Sequence, residues 1–244
     1  MPSPIAACLL ALAGRRAARA GRDWLAAAAD PARGAADRSA FLAAFAIAAR
    51  RLGTAPLAPA AAEVADLAAA GVDWPLAAWR VDEAGRAALL ALAGDRLAEA
   101  EHLALVEEAY RHGDTRERQA VLRALPLLDR PARFVPLGVD ACRSHVQPVF
   151  EAIACENPFP VRHFPDLHWN QMVLKALFTE VPLDRVFGLA SRRSPELARM
   201  AADYARERRL AGRSVPADVE RLTGGVGTRS PSTPPRDAAN EAEA

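Results

Sequence analysis

The sequence predicts an all-α protein, an irregular α-α superhelix or HEAT-like helical repeat domain. Three observations predict it. The first half of the chain is rich in alanine and leucine and poor in β-branched residues, which favours helices over strands. Apolar residues recur at helical spacing in one segment after another. Capping residues, glycines and prolines punctuate those segments as helix starts and stops.

Taken in order, Ser39 to Leu52 carries Phe41, Leu42, Phe45, Ile47, Ala48 and Leu52 at helical spacing, and Thr54–Pro59 interrupts it. Glu63 to Ala70 reads as a short helix closed by Gly71. Asp82 to Ala93 and Arg96 to His112 follow, broken by a turn at Gly94-Asp95. Leu103, Val106 and Tyr110 form one apolar stripe, Gly113-Asp114 turns the chain, and a second helix begins near Thr115. There Val121, Leu122, Leu125 and Leu128 recur amphipathically, and Asp114 with Glu117 has the spacing of a reciprocal cap. Two antiparallel helices on a short turn are the unit of a HEAT-like solenoid. One clear copy is present, which favours an irregular superhelix over a regular array.

Further on, Val139, Cys142, Val146, Val149 and Ile153 keep helical spacing through Pro148, which must kink the element or start a new one. Three prolines between Glu156 and Pro165 argue against a regular helix there. Two phenylalanines and a histidine in the same stretch predict that it folds back onto its neighbours. Asp166 opens a helix running to about Thr179. Ser194 caps the next, with Pro195 in its first turn, Leu197, Met200, Ala201 and Tyr204 as its stripe, and Gly212 at its end. The expected organisation is a single helical domain over 1–223 and a disordered tail over 224–244, where glycine, proline, serine and charge replace the apolar pattern.

Composition bounds the function. With 244 residues, 51% of them apolar, the chain can bury a core without metals or disulfides. Lys plus Arg is 31 against 30 for Asp plus Glu, a net +1, so the concentrated positive field that nucleic-acid binding needs is not expected. Lys175 is the only lysine. Cys8, Cys142 and Cys155 form no CxxC pair, and Cys142 and Cys155 are expected as buried small hydrophobes. The apolar run Ile5 to Ala13 precedes its arginines, the reverse of a signal peptide, and no stretch reaches the roughly 18 apolar residues of a membrane span. A cytoplasmic protein is expected.

Candidate chemistry gathers between Glu151 and Lys175. At about 100° per residue, His168, Gln171 and Lys175 share one polar face of the Asp166–Thr179 helix, with Val173, Leu174, Ala176 and Leu177 opposite. Asn170 falls inside the apolar arc, about 200° from His168, where an unpaired amide is costly, and so is expected to latch the neighbouring loop. The pocket predicted between loop and helix is lined by Glu151, Glu156, Asn157, His163, His168, Gln171 and Lys175. His163 and His168 are its candidate acid–base residues, and Lys175 is the point charge for an anionic ligand. Arg208, in line with the stripe of the last helix, is a further anion contact. Arg116, Arg118 and Arg123 on the capped helix are expected chiefly to solvate its outside, with a binding ridge on a concave surface as the alternative. His163, Asp166 and His168, with His145 in reach, match no zinc spacing, and no metal or cofactor is expected. Nucleotide-binding and nucleophile-elbow motifs are absent.

At Ala154-Cys-Glu-Asn-Pro-Phe-Pro, through His163-Phe-Pro, to Trp169-Asn-Gln-Met-Val-Leu-Lys-Ala-Leu-Phe, the sequence resembles the EboA family. Gly113-Asp-Thr-Arg-Glu-Arg-Gln upstream, and Val181-Pro-Leu, Pro195-Glu-Leu-Ala-Arg-Met and Asp203-Tyr-Ala-Arg-Glu-Arg-Arg downstream, extend the likeness over roughly residues 95–222. The resemblance implies a bacterial secondary-metabolite gene cluster, whose cyanobacterial members are associated with handling or export of a pigment precursor. It implies no catalytic residues. The expected function is a helical scaffold or small-molecule-binding protein for such a metabolite, with other proteins of the cluster as partners. The alternatives are an enzyme acting on a prenylated or phosphorylated intermediate, and a protein-interaction adaptor using a concave helical face.

Overall fold

A computed structural model describes residues 3–30 and 37–224. The expected tail beyond residue 224 lies outside the described residues. Among the described residues the chain divides into two compact units, one up to Arg192 and the other from Arg193 on. Among the described residues every regular element is helical, and the only strand-like pairing is two isolated bridges, Pro56 with Arg80 and Cys155 with Val186.

The first unit holds α1 (Pro4–Arg16), α2 (Arg19–Ala28), α3 (Arg38–Leu52), α4 (Ala61–Ala69), α5 (Val81–Gly94), α6 (Glu99–His112), α7 (Thr115–Ala124), α8 (Val135–Ala141), α9 (Gln147–Ala154), α10 (Phe159–His163) and α11 (Asp166–Phe178). The second holds α12 (Pro195–Leu210) and α13 (Val219–Thr223). Within the first unit, α5 packs on α1, α3 and α7, α7 on α9, and α9 on α11. This stack carries the core from one end of the unit to the site.

Helix α5 is its centre, and every residue from Val81 to Ala93 is buried. Three of those residues are charged. Arg86 pairs with Asp82 at 2.5 Å, donates from Nε to the Phe45 carbonyl and from Nη2 to the Ala46 carbonyl, and lies over the Phe45 ring. Glu83 accepts from the Arg80 amide at the helix start and from Arg123 of α7. Buried charge is tolerated only with such partners. Here α5 uses them to tie α3 and α7 to itself.

The expected α6–α7 hairpin is present. Asp114 Oδ1 accepts from the Glu117 amide at 2.8 Å, and Glu117 Oε2 accepts from the Asp114 amide at 3.1 Å, so two otherwise orphaned donors are satisfied reciprocally. Ser194 likewise caps α12 through the Leu197 amide. Pro148 starts a new helix and sits in the first turn of α9.

Two expectations and one alternative are corrected. The stripe of α7 does not run helically to Leu128. The helix ends at Ala124 and Pro126 tightens the chain into a 3-10 turn, Leu125–Leu127. The arginine ridge on α7 does not form. Arg123 turns inward to Glu83 and the Ala78 carbonyl, and Arg118 folds back onto the carbonyls of Gly113 and Arg111. The stretch Glu156–Pro165 does contain a helix, the single turn α10, because Pro160 lies in the first turn, where no amide donor is needed.

Candidate functional site

The aromatic stretch folds against its neighbours, as its composition predicts. Phe159 and Phe164 are buried and pack edge to face at 5.9 Å between ring centroids. They press on α8 where Gly138 leaves room, since a Cβ there would stand 2.9 Å from Phe159 and 3.1 Å from Phe164. Three polar groups hold the stretch. Asn157, buried, donates to the carbonyls of Leu122 and Ala152 at 3.0 and 2.9 Å and accepts from the Phe159 amide at 2.9 Å. Arg192 donates to the carbonyls of Pro160, Val161 and Phe164, pairs with Asp166, and lies over the buried Trp169 ring. Arg185 bridges Glu151 at 2.7 Å and Glu156 at 2.8 Å. That bridge braces Glu156, whose backbone is left-handed at φ 47°.

Asn170 is therefore not the latch. It is buried on α11, but among the described residues it makes no hydrogen bond to the loop. Phe164 meets α11 on the face of His168 and Met172, and Asn170 points about half a turn away from it. The latching amide is Asn157, and the latching cation, Arg192, carries no signal in the sequence because its carbonyl partners are set by tertiary structure.

A cavity of about 330 Å³ opens between α8 and α11. Val139, Phe164 and Met172 form its apolar walls, and Cys142, Arg143, His145, His168, Gln171 and Lys175 complete its lining. The shared face of His168, Gln171 and Lys175 is thus brought onto one space, joined by His145. Lys175 is tied down. Its Nζ donates to the carbonyls of Cys142 and Ser144, both at 2.6 Å, and lies 4.6 Å from the Phe150 ring centre. Burial lowers its pKa. His168 Nδ1 is buried without a hydrogen-bond partner.

The other sequence-predicted residues stand outside this lining. Glu151 and Glu156 share the Arg185 guanidinium. Burial raises the Glu151 carboxyl, but the Arg185 guanidinium and Gln147 together outweigh it and leave the group below its usual range. Asn157 is buried and spends both amide hydrogens on the Leu122 and Ala152 carbonyls and its oxygen on the Phe159 amide. His163 packs on Phe159 at 5.1 Å, and burial with Arg162 nearby lowers its pKa. Arg208, in the second unit, spends its guanidinium on the Ser214 carbonyl and the Tyr204 hydroxyl. Among the described residues no group of three His, Cys, Asp or Glu side chains could hold a metal ion. Cys155 is buried and Cys142 half-buried, and burial pushes both thiols up to about 12, so neither is a thiolate near neutrality.

Arg143 is the residue that sequence reading missed. It lies in the turn after α8 and lines both the α8–α11 cavity and an open, charged neighbour of about 510 Å³, which includes Glu107, Tyr110, Arg111, Arg118 and Asp140. Nothing in its local sequence marks it out.

No helix among the described residues is long and apolar enough to cross a membrane. No curated protein and no solved structure matches the chain. The sequence model of the family described as metabolite traffic protein EboA matches residues 6–224, reaching well upstream of the motifs that carry the resemblance. With nearly the whole described chain covered, from the first helix through the aromatic stretch and the last helix, the protein belongs to the EboA family.

Proposed function

We propose that the protein binds a small metabolite, without transforming it, in the cavity between α8 and α11. The observation that supports this reading is the convergence of His168, Gln171 and Lys175 on one space with Val139, Phe164 and Met172 as apolar walls. Small-molecule sites combine apolar walls with a few convergent polar groups, and about 330 Å³ is the size of a small organic ligand. A family described by metabolite traffic is consistent with a carrier. Binding is favoured over catalysis because Lys175 is held by two backbone carbonyls, and no carboxylate in the lining orients either histidine as an acid or base. In this reading the protein works in the cytoplasm beside other proteins of a bacterial secondary-metabolite pathway, with the clamped Glu156–Pro165 stretch as the wall of the site.

Native mass spectrometry of the protein isolated from its own host tests the proposal. We expect a small organic molecule to be retained by the wild-type chain and lost in Gln171→Trp, which places a large side chain at the exposed edge of the cavity. A bare wild-type mass, or equal retention by the variant, would overturn it.

A further inference from the structure

The charge of the cavity is one-sided. Arg143 and Lys175 line it, and no aspartate or glutamate does. Two of the three Lys175 donors are taken by carbonyls, which makes that ammonium a brace for the turn after α8. Arg143 differs. Among the described residues its guanidinium has no ion pair and no hydrogen bond, whereas Arg86, Arg123, Arg185 and Arg192 in the same unit are all paired. Asp140, three residues earlier, lines the neighbouring cavity and forms no ion pair with it.

Resting on the reading of this cavity as a metabolite site, we propose that its ligand is an amphiphilic organic acid. A carboxylate or phosphate is held by Arg143 at the edge, and an apolar body lies against Val139, Phe164 and Met172. The physical reason is desolvation. A ligand filling the cavity strips water from the guanidinium, and removing a charge from water without a counter-charge is costly. A neutral ligand leaves that cost in place. An acid converts it into a charge-assisted, bidentate hydrogen bond beside low-dielectric walls. Arg143 is solvent-exposed, so its guanidinium is hydrated and open to a ligand's acid group.

Fluorescence titration of the full chain with two probes of one ring system separates the possibilities. 1-Anilinonaphthalene-8-sulfonate carries an acid, and N-phenyl-1-naphthylamine does not. We expect the sulfonate to bind at least about tenfold more tightly, the value of one charge-assisted hydrogen bond. Arg143→Gln should remove that preference and leave the neutral probe within about twofold of wild type. Arg118→Gln, in the neighbouring cavity, should change neither. Displacement of the sulfonate by 1-naphthoate or by 1-naphthyl phosphate identifies which acid is preferred, and displacement by neither counts against the proposal. Equal affinity for the two probes, or an unchanged preference in Arg143→Gln, would overturn it while leaving the cavity reading intact. That reading fails separately if Val139→Phe and Gln171→Trp, both folded by circular dichroism, bind both probes as wild type does.

Discussion

His102 is buried with its Nε2 donating to the Leu90 carbonyl at 2.9 Å and its Nδ1 accepting from Arg133 at 2.6 Å. Both ring nitrogens are therefore committed to the neutral tautomer, and burial, with the Arg133 charge beside it, lowers the pKa to about 4. The folded pKa lies below the unfolded value of 6.5, so the unfolded chain binds the proton first. Stability from this residue is complete above pH 6.5, declines as the pH falls toward 4, and levels off below it, for a total of about 3 kcal/mol. Denaturant melts between pH 7.5 and 4 should show this loss, and His102→Gln should flatten most of it. A profile unchanged by the substitution would remove the residue from the account. Sequence alone could not single out His102. Its spacing on α6 fits an apolar stripe or a wet face equally well, and its burial depends on Arg133, which lies more than thirty residues away. The same limit explains the two asparagines. Helical geometry correctly put Asn170 in the buried arc, but only the path of the aromatic stretch decides which amide meets the backbone, and that is Asn157.

Elements were most readable where their signals are local. The Asp114–Glu117 cap, the Ser194 cap and the new start at Pro148 each depend on side chains within a few residues. α10 was hidden because proline reads as a breaker until its position in the helix is known, and α1 and α2 were hidden in an alanine-rich background. The packing of α8 on α10 makes a sharper demand than any propensity. Gly138→Ala gains roughly 1 kcal/mol of helix propensity, yet its methyl would stand within 2.9 Å of Phe159 and 3.1 Å of Phe164. Both rings are buried and held by Asn157 and Arg192, so they cannot yield cheaply. We expect a net loss of about 1–3 kcal/mol in chemical unfolding. A gain in stability would mean that the aromatic pair is loosely seated, and the wall of the cavity with it.

At the scale of the molecule, the all-helical class was readable from composition and periodicity, because alanine- and leucine-rich segments leave few alternatives. The cavity was half readable: one helix face supplied His168, Gln171 and Lys175, with His145 in reach of it, whereas Arg143 arrives from a turn that only the fold brings alongside. The motifs behind the resemblance begin near residue 95, although the family match begins at residue 6. Small apolar side chains fill a core in many interchangeable ways, so the first helices carry membership without a recognisable signature. α5 has a further consequence. A helix enclosed along its length presents no wet side to water and has little reason to form before its neighbours close around it. Its backbone amides should be the slowest in the chain to exchange with deuterium, opening only with the whole first unit, while those at the C-terminal end of α4 exchange early. Rapid labelling between Ala84 and Leu92 would show that the centre of the stack opens without global unfolding.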